Sequence, residues 1–157
     1  MSTPTKVYFA TMTGNAESLA SGLVDKAQER NLDAVLVDMA EVSPSDLLED
    51  KHAVFIVSTW GEGEPPDDAD PFWNELESAE LDLSGLKYSV FGLGDRGYEY
   101  FNGFARILDE RLAALGAVSV FERVEADIDY DADFEDWENR VLSLLESPSG
   151  QLAQEAM

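Results

Sequence analysis

The chain has 157 residues, 33 of them acidic against 10 basic, for a net charge of −23; its length suits one domain with one sizeable core. It contains no cysteine, which excludes disulfides, thiolate metal sites and cysteine nucleophiles and fits a cytosolic setting. The acidity leaves no basic patch for nucleic-acid phosphates. It would attract a basic protein surface, and it serves general solubility or a high-salt habitat equally well.

The longest apolar run, Ala53 to Val57, is too short to cross a bilayer. No basic segment followed by an apolar stretch opens the chain, so no signal peptide is expected. Val7-Tyr8-Phe9-Ala10 reads as a first strand. A helix follows with Leu19, Leu23 and Ala27 on one face. Between them lies Thr11-Met12-Thr13-Gly14-Asn15-Ala16-Glu17. A loop of this kind aims backbone N–H groups at one point, at the positive end of the helix dipole. Thr11 and Thr13 add hydroxyl donors, and Gly14 lets the backbone approach closely. With no Lys or Arg present, a phosphate here keeps its charge uncancelled. The same residues also suit an ordinary strand-to-helix turn capped by Thr and Asn.

Ala34 to Asp38 is a second strand. Ser43 as N-cap and Pro44 at the first helical position start a short helix with Leu47 and Leu48. Ala53 to Ser58 is a continuous apolar run of the kind buried on both faces of a sheet. The loop Thr59-Trp60-Gly61-Glu62-Gly63-Glu64-Pro65-Pro66-Asp67-Asp68 follows, then a helix from Pro71 to Leu76. Tyr88 to Phe91 is a fourth strand. The glycine-rich run Gly92 to Tyr98 comes next, then a helix carrying Phe101, Phe104, Leu108, Leu112 and Leu115 that stops at Gly116. Val118 to Val124 reads as a fifth strand. Phe134, Trp137, Val141 and Leu144 line a last helix. The expected domain is 1–147, with a small, polar, frayed tail over 148–157.

Strands alternating with helices predict an α/β fold, a parallel sheet with helices on both faces. Ligands of such folds sit at the carboxyl ends of the strands. The three unusual loops, after the first, third and fourth strands, all lie there. Trp60 and Tyr98 stand on glycine-flanked backbone, and a flat conjugated ring is well served by one aromatic on each face. A lone loop aromatic more often packs against the body of its own protein. Two of them opposite a phosphate loop point to a cofactor with a ring and a phosphate.

Thr11 to Glu17, Ser58-Thr59-Trp60-Gly61 and Gly94-Asp95-Arg96-Gly97-Tyr98-Glu99-Tyr100-Phe101 resemble the three FMN-binding loops of flavodoxins. Gly61 to Pro66, the run Val124 to Tyr130 and Trp137 look most like the FMN domain of the sulfite reductase flavoprotein, in the diflavin reductase group. The resemblance covers nearly the whole chain and is to the short-chain form. It implies a flavodoxin-like three-layer sandwich with a five-stranded parallel sheet in the order 2-1-3-4-5. It also implies FMN as the cofactor. Thr11, Met12, Thr13, Gly14, Asn15 and Ala16 would hold the phosphate. Trp60 would lie on the inner ring face and Tyr98 on the outer. The peptide carbonyl of Gly61 would turn toward flavin N5, between neighbours Thr59, Glu62 and Gly63. Asp95 would help bind the pyrimidine edge through its backbone and Asp127 would lie near the flavin, with Leu93, Gly94, Tyr100 and Phe101 also counted among the cofactor-binding residues. Ala16 stands where many flavodoxins have threonine, and the acidic turn Glu62 to Asp68 is longer than in many.

Other signals carry less. Gly92 to Gly97 matches a dinucleotide fingerprint but follows the wrong strand and lacks a ribose-binding acid. Asp127, Asp129, Asp131 and Asp133 with Glu138 imitate a calcium loop, but Ala132 occupies the position that needs glycine. His52 has no second ligand for a metal, and a surface role is expected of it. A phosphoacceptor receiver domain needs an aspartate pair after its first strand, which Phe9-Ala10-Thr11 does not supply.

The leading expectation is a free-standing one-electron carrier, not an enzyme by itself, and monomeric. Its partners would be basic redox proteins: a ferredoxin-NADP reductase-type donor and a haem or iron–sulfur acceptor. A start at Met1 and a polar end favour the independent chain. The alternatives are an FMN domain or subunit of a larger NADPH-dependent reductase and, from another class, an FMN-binding regulatory or scaffold protein.

Overall fold

The computed structural model describes residues 5–10, 15–58, 69–93, 103–120, 123–126 and 130–146. In chain order the elements are β1 (Thr5–Ala10), α1 (Asn15–Glu29), β2 (Ala34–Asp38), 3-10 turns at Met39–Glu41 and Pro44–Glu49, β3 (His52–Ser58) and α2 (Asp70–Ser78). They continue with β4 (Lys87–Leu93), α3 (Gly103–Ala114), β5 (Val118–Ser119), β6 (Val124–Ala126) and α4 (Asp131–Glu146). All strands pair in parallel, in the order β2-β1-β3-β4-β5, with β6 also on β4. This is the expected order and class.

Strand pleating sends alternate side chains to opposite faces, and two cores result. On one face Tyr8, Phe55, Val57, Tyr88 and Val90 meet Phe72 and Leu76 of α2 and Phe104, Leu108 and Leu112 of α3. On the other Val7, Phe9, Val54, Ile56 and Phe91 meet Ala20, Leu23 and Ala27 of α1 and Phe134, Trp137 and Val141 of α4. The central strand β3 is buried on both faces through its apolar run, as the absence of polar alternation predicts.

Helix ends follow local chemistry. Gly116 closes α3 at φ 103°. Its N–H donates to the Ala113 carbonyl at 3.0 Å, and that of Ala117 donates to the Leu112 carbonyl at 3.1 Å, a Schellman-type stop. Asn31 does the same for α1 at φ 62°, with the Leu32 N–H on the Ala27 carbonyl at 2.9 Å. The Ser43-Pro44 start is present, with the Ser43 N–H bonded to the Asp46 carboxylate at 3.1 Å. The segment it opens, Pro44–Glu49, is a 3-10 turn rather than an α-helix.

The expected fifth strand is two strands. From Tyr88 to Phe91 β4 advances three residues, while its partner advances five from Ser119 to Val124. The two described pairings with β4 are therefore offset by two residues and belong to separate strands.

His52 is not a surface residue. It opens β3 and is 3 % exposed, and its Nδ1 lies 3.5 Å from the Thr5 hydroxyl. Nearby, buried Asp50 sits 3.1 Å from Lys6 Nζ and accepts the Tyr8 hydroxyl at 2.5 Å. Burial, with Asp50 assisting, raises the Tyr8 phenol well above its ordinary value.

Burial lowers the His52 pKa to about 4. The folded chain therefore holds His52 neutral, while the unfolded chain protonates it near 6.5. Stability from the neutral form is complete above about pH 6.5 and is lost as the pH falls toward about 4. Between pH 7 and 4.5 the wild type is expected to lose about 2–3 kcal/mol more than a His52→Gln variant. Urea unfolding at both pH values measures this; equal losses in the two proteins would contradict it.

Candidate functional site

Register aligns the carboxyl ends of four strands. Ala10, the last residue of β1, pairs with Val57 of β3; Ser58, the last of β3, pairs with Leu93, the last of β4; Leu93 also pairs with Ala126, the last of β6. The carboxyl ends of β1, β3, β4 and β6 therefore stand side by side along one edge. With strands about 4.8 Å apart, the four span roughly 15 Å. Helix starts return to the same edge, because each helix runs back across the sheet.

Of the residues assigned to the site, three lie among those described. Asn15 opens α1, the helix that follows β1. Ala16 is fully buried in the core between α1 and the sheet. Leu93 ends β4 with its side chain in the same core. The side chains of Ala16 and Leu93 are therefore committed to this core. Thr11, Met12, Thr13, Gly14, Thr59, Trp60, Gly61, Glu62, Gly63, Gly94, Asp95, Tyr98, Tyr100, Phe101 and Asp127 lie outside the described residues.

The ground beneath these strand ends is aromatic. Phe91, two residues before the end of β4, meets Phe134 edge-on at 5.1 Å and Trp137 at 5.3 Å. On the other face Trp73 of α2 meets Phe104, in the first turn of α3, edge-on at 5.9 Å. Such pairs add roughly 0.5–1.5 kcal/mol each beyond the area they bury. Lys26 of α1 bonds Glu138 of α4 at 2.6 Å, tying together the two helices on one face. Glu138 thus sits inside a helix with a lysine partner.

A charged network, not anticipated from sequence, joins α3 to β6. Arg106 donates through Nε and Nη2 to both oxygens of Glu125, at 2.9 and 2.8 Å. Arg123 donates to Glu125 at 2.8 Å and to Asp109 at 2.6 Å. Asp109 also accepts the Tyr88 hydroxyl. The Arg106 hydrogen bond is the main cause holding Glu125 below the ordinary carboxylate pKa, with burial opposing and Arg123 assisting. The sequence signal is faint: Arg123 and Glu125 share a strand face by period two, and Arg106 and Asp109 share a helix face by period three.

The flavodoxin family model matches residues 7–137 of the chain. The chain is 40 % identical over 140 residues to the alpha-component of the NADPH sulfite reductase flavoprotein of Vibrio cholerae, covering 88 % of itself and 23 % of that protein. It superposes on Streptococcus pneumonia TIGR4 flavodoxin with a TM-score of 0.79 and 30 % identity, covering 92 % of itself and 99 % of that chain. A short-chain flavodoxin associated with a non-canonical PDU bacterial microcompartment gives 0.76 and 32 %, covering 91 % and 97 %. The chain belongs to the flavodoxin family. It spans about a quarter of the length of the curated reductase it matches.

FMN is the cofactor of this family. The described residues fit it. At α1 the first-turn N–H groups have no acceptor within the helix. The neighbouring side chain, Ala16, turns into the core, so nothing of its bulk stands between those donors and an anion. A threonine at position 16 would place its hydroxyl in apolar surroundings. Ala16→Thr is therefore expected to lower stability by about 1–3 kcal/mol without tightening FMN binding. Denaturant titrations and flavin titrations read the two effects; tighter binding with no loss of stability would contradict the inward placement.

Proposed function

We propose that the chain is an FMN-dependent one-electron carrier that passes electrons from a reductase to an acceptor protein and catalyses no substrate conversion alone. The observation that carries this is the alignment of the carboxyl ends of β1, β3, β4 and β6 by the strand register. All the loop residues named for the cofactor follow those ends in sequence. Bound FMN supplies transfer of electrons one at a time. The backbone from Thr11 to Ala16, with the hydroxyls of Thr11 and Thr13, would hold the phosphate. Trp60 and Tyr98 would serve the ring faces, Gly61 the ring edge, and Asp95 and Asp127 the surroundings of the ring.

One FMN per chain and negligible FAD are expected on mass spectrometry of the released cofactor. Stepwise reduction followed by visible spectroscopy is expected to pass through two one-electron stages. FAD or no flavin would remove the cofactor assignment. A single passage from oxidised to fully reduced protein would remove the carrier reading.

A second reading is supported by the 40 % identity to a flavoprotein component of which the chain spans only 23 %: an FMN module serving an NADPH-dependent reductase. In either case the partner surface is basic. Among the described residues, Lys6, Lys26, Arg106, Arg123 and Arg140 are engaged with carboxylates, and Arg111 with carbonyls at the end of α2. The net charge of −23 is thereby presented largely by uncompensated carboxylates, which steer a basic partner. Electron transfer to such a partner is expected to slow steeply as salt rises, because screening at 0.15 M confines fields to about 8 Å. Stopped-flow rates that stay level across ionic strength would rule out charge-steered docking.

A further inference from the structure

β2 ends the strand order, and among the described residues its partner is β1. One bond fixes the direction of its backbone groups. The Thr5 N–H donates to the Asp33 carbonyl at 2.9 Å, with Thr5 in register with Ala34. Groups facing a neighbour alternate along a parallel ladder. Asp33, Val35 and Val37 therefore turn theirs to β1, and Ala34, Leu36 and Asp38 turn theirs outward. The Ala34 carbonyl accepts Gln28 Nε2 at 3.4 Å. The Asp38 carboxylate accepts the Ala40 N–H at 2.8 Å and starts the turn that leaves the strand. Between these two ends the N–H and C=O of Leu36 face out.

Apolar side chains surround that opening. Among the described residues the exposed large apolar side chains are Val35 at 41 %, Leu36 at 36 %, Leu48 at 52 % and Val118 at 48 %. The first three belong to one corner. Val35 pairs with Lys6, Lys6 Nζ lies 3.1 Å from Asp50, and Leu48 stands two residues before Asp50. Leu36 lies on the other face, in register with Val7, so the apolar surface wraps around the edge. Edge strands are commonly blunted by a lysine, a proline or a bulge. Ala34 to Asp38 contains neither residue and pairs in unbroken register. Acidic groups border this corner: Asp33 and Asp38 at the strand ends, Glu41 and Asp46 on the turns that follow.

We propose that the outer edge of β2 is a docking strand for an extended segment of a partner protein, apolar in its middle and basic at its ends. Such a segment adds backbone hydrogen bonds at Leu36, covers the exposed apolar side chains with its own, and brings its basic ends to the acidic border. A second copy of the chain fits worse, because it brings the same acidic border and another net charge of −23. The inference goes beyond the FMN reading and does not rest on it.

The test follows the amide NMR spectrum of the isotope-labelled full chain during titration with a short peptide of alternating valine and threonine that carries two lysines at each end. The same peptide with glutamates in place of the lysines tests the charge. Leu36→Pro removes an outward N–H and keeps the bonds to β1. Val35→Lys blunts the edge from an exposed position and serves if Leu36→Pro folds poorly by far-UV circular dichroism. Val118→Lys, which adds the same charge on β5, is the control. The lysine-ended peptide is expected to shift the amides of residues 34–38 and to slow hydrogen exchange at Leu36. Either edge variant, or glutamate ends on the peptide, is expected to weaken binding about tenfold or more, and the control is expected to bind like the wild type. Unshifted amides over 34–38, affinities within about twofold of wild type in the edge variants, or equal binding of the two peptides would overturn the proposal. Shifts over the same residues that grow with protein concentration and need no peptide would overturn it in favour of a second copy.

Discussion

The parallel register of β1, β3, β4 and β6 is the constraint on which everything else depends. Parallel strands connected by helices must all leave the sheet at the same edge. The register then decides how level those departures are. Here Ser58, Leu93 and Ala126 end their strands in direct pairing, and Ala10 pairs with Val57 one residue short of the end of β3. The carboxyl ends of four strands thereby stand level along one edge. None of them could hold a ring and a phosphate alone, because the two ends of such a ligand need donors and aromatic faces from separate parts of the chain.

Holding that register falls to the two apolar cores. A slip of one residue would send Tyr8, Phe55 and Val57 to the side of α1 and α4 and expose Val54 and Ile56 to the other. The aromatic contacts of Phe91 with Phe134 and Trp137, and of Tyr8 with Phe55 at 4.9 Å, make the choice steeper, since each ring fits one neighbour geometry. A chain with this much negative charge repels itself when compact. Its cations work against that repulsion where they join distant segments: Lys26 to Glu138 across α1 and α4, Lys6 to Asp50, and Arg123 to Asp109. Their carboxylate partners are buried or half-buried, where screening is weaker than at the open surface.

The site inherits its character from the same imbalance. A phosphate loop without Lys or Arg binds through dipoles and hydrogen bonds, which orient an anion without neutralising it. Arg106 of α3 and Arg123, just before β6, are matched by Glu125 and Asp109.

The amino-acid sequence by itself determined the order and kind of the elements. The apolar run at Ala53 to Ser58, the helical spacing of Phe104, Leu108 and Leu112, and the stop at Gly116 are local patterns whose physics needs no distant partner. The same holds for the three loop motifs, which were legible as a family resemblance although most of their residues lie outside the described structure. What the tertiary structure alone decided is long-range. His52 reads as an isolated polar residue at a strand start, and only the packing around β3 buries it. Val118 to Val124 reads as one strand, and only its pairing with a β4 that advances fewer residues divides it into two. Arg106 and Glu125 are nineteen positions apart, and nothing in either neighbourhood names the other. Local propensity reports what a segment prefers. Burial, register and charge pairing depend on which segments become neighbours, and those neighbours exist only once the sheet is assembled.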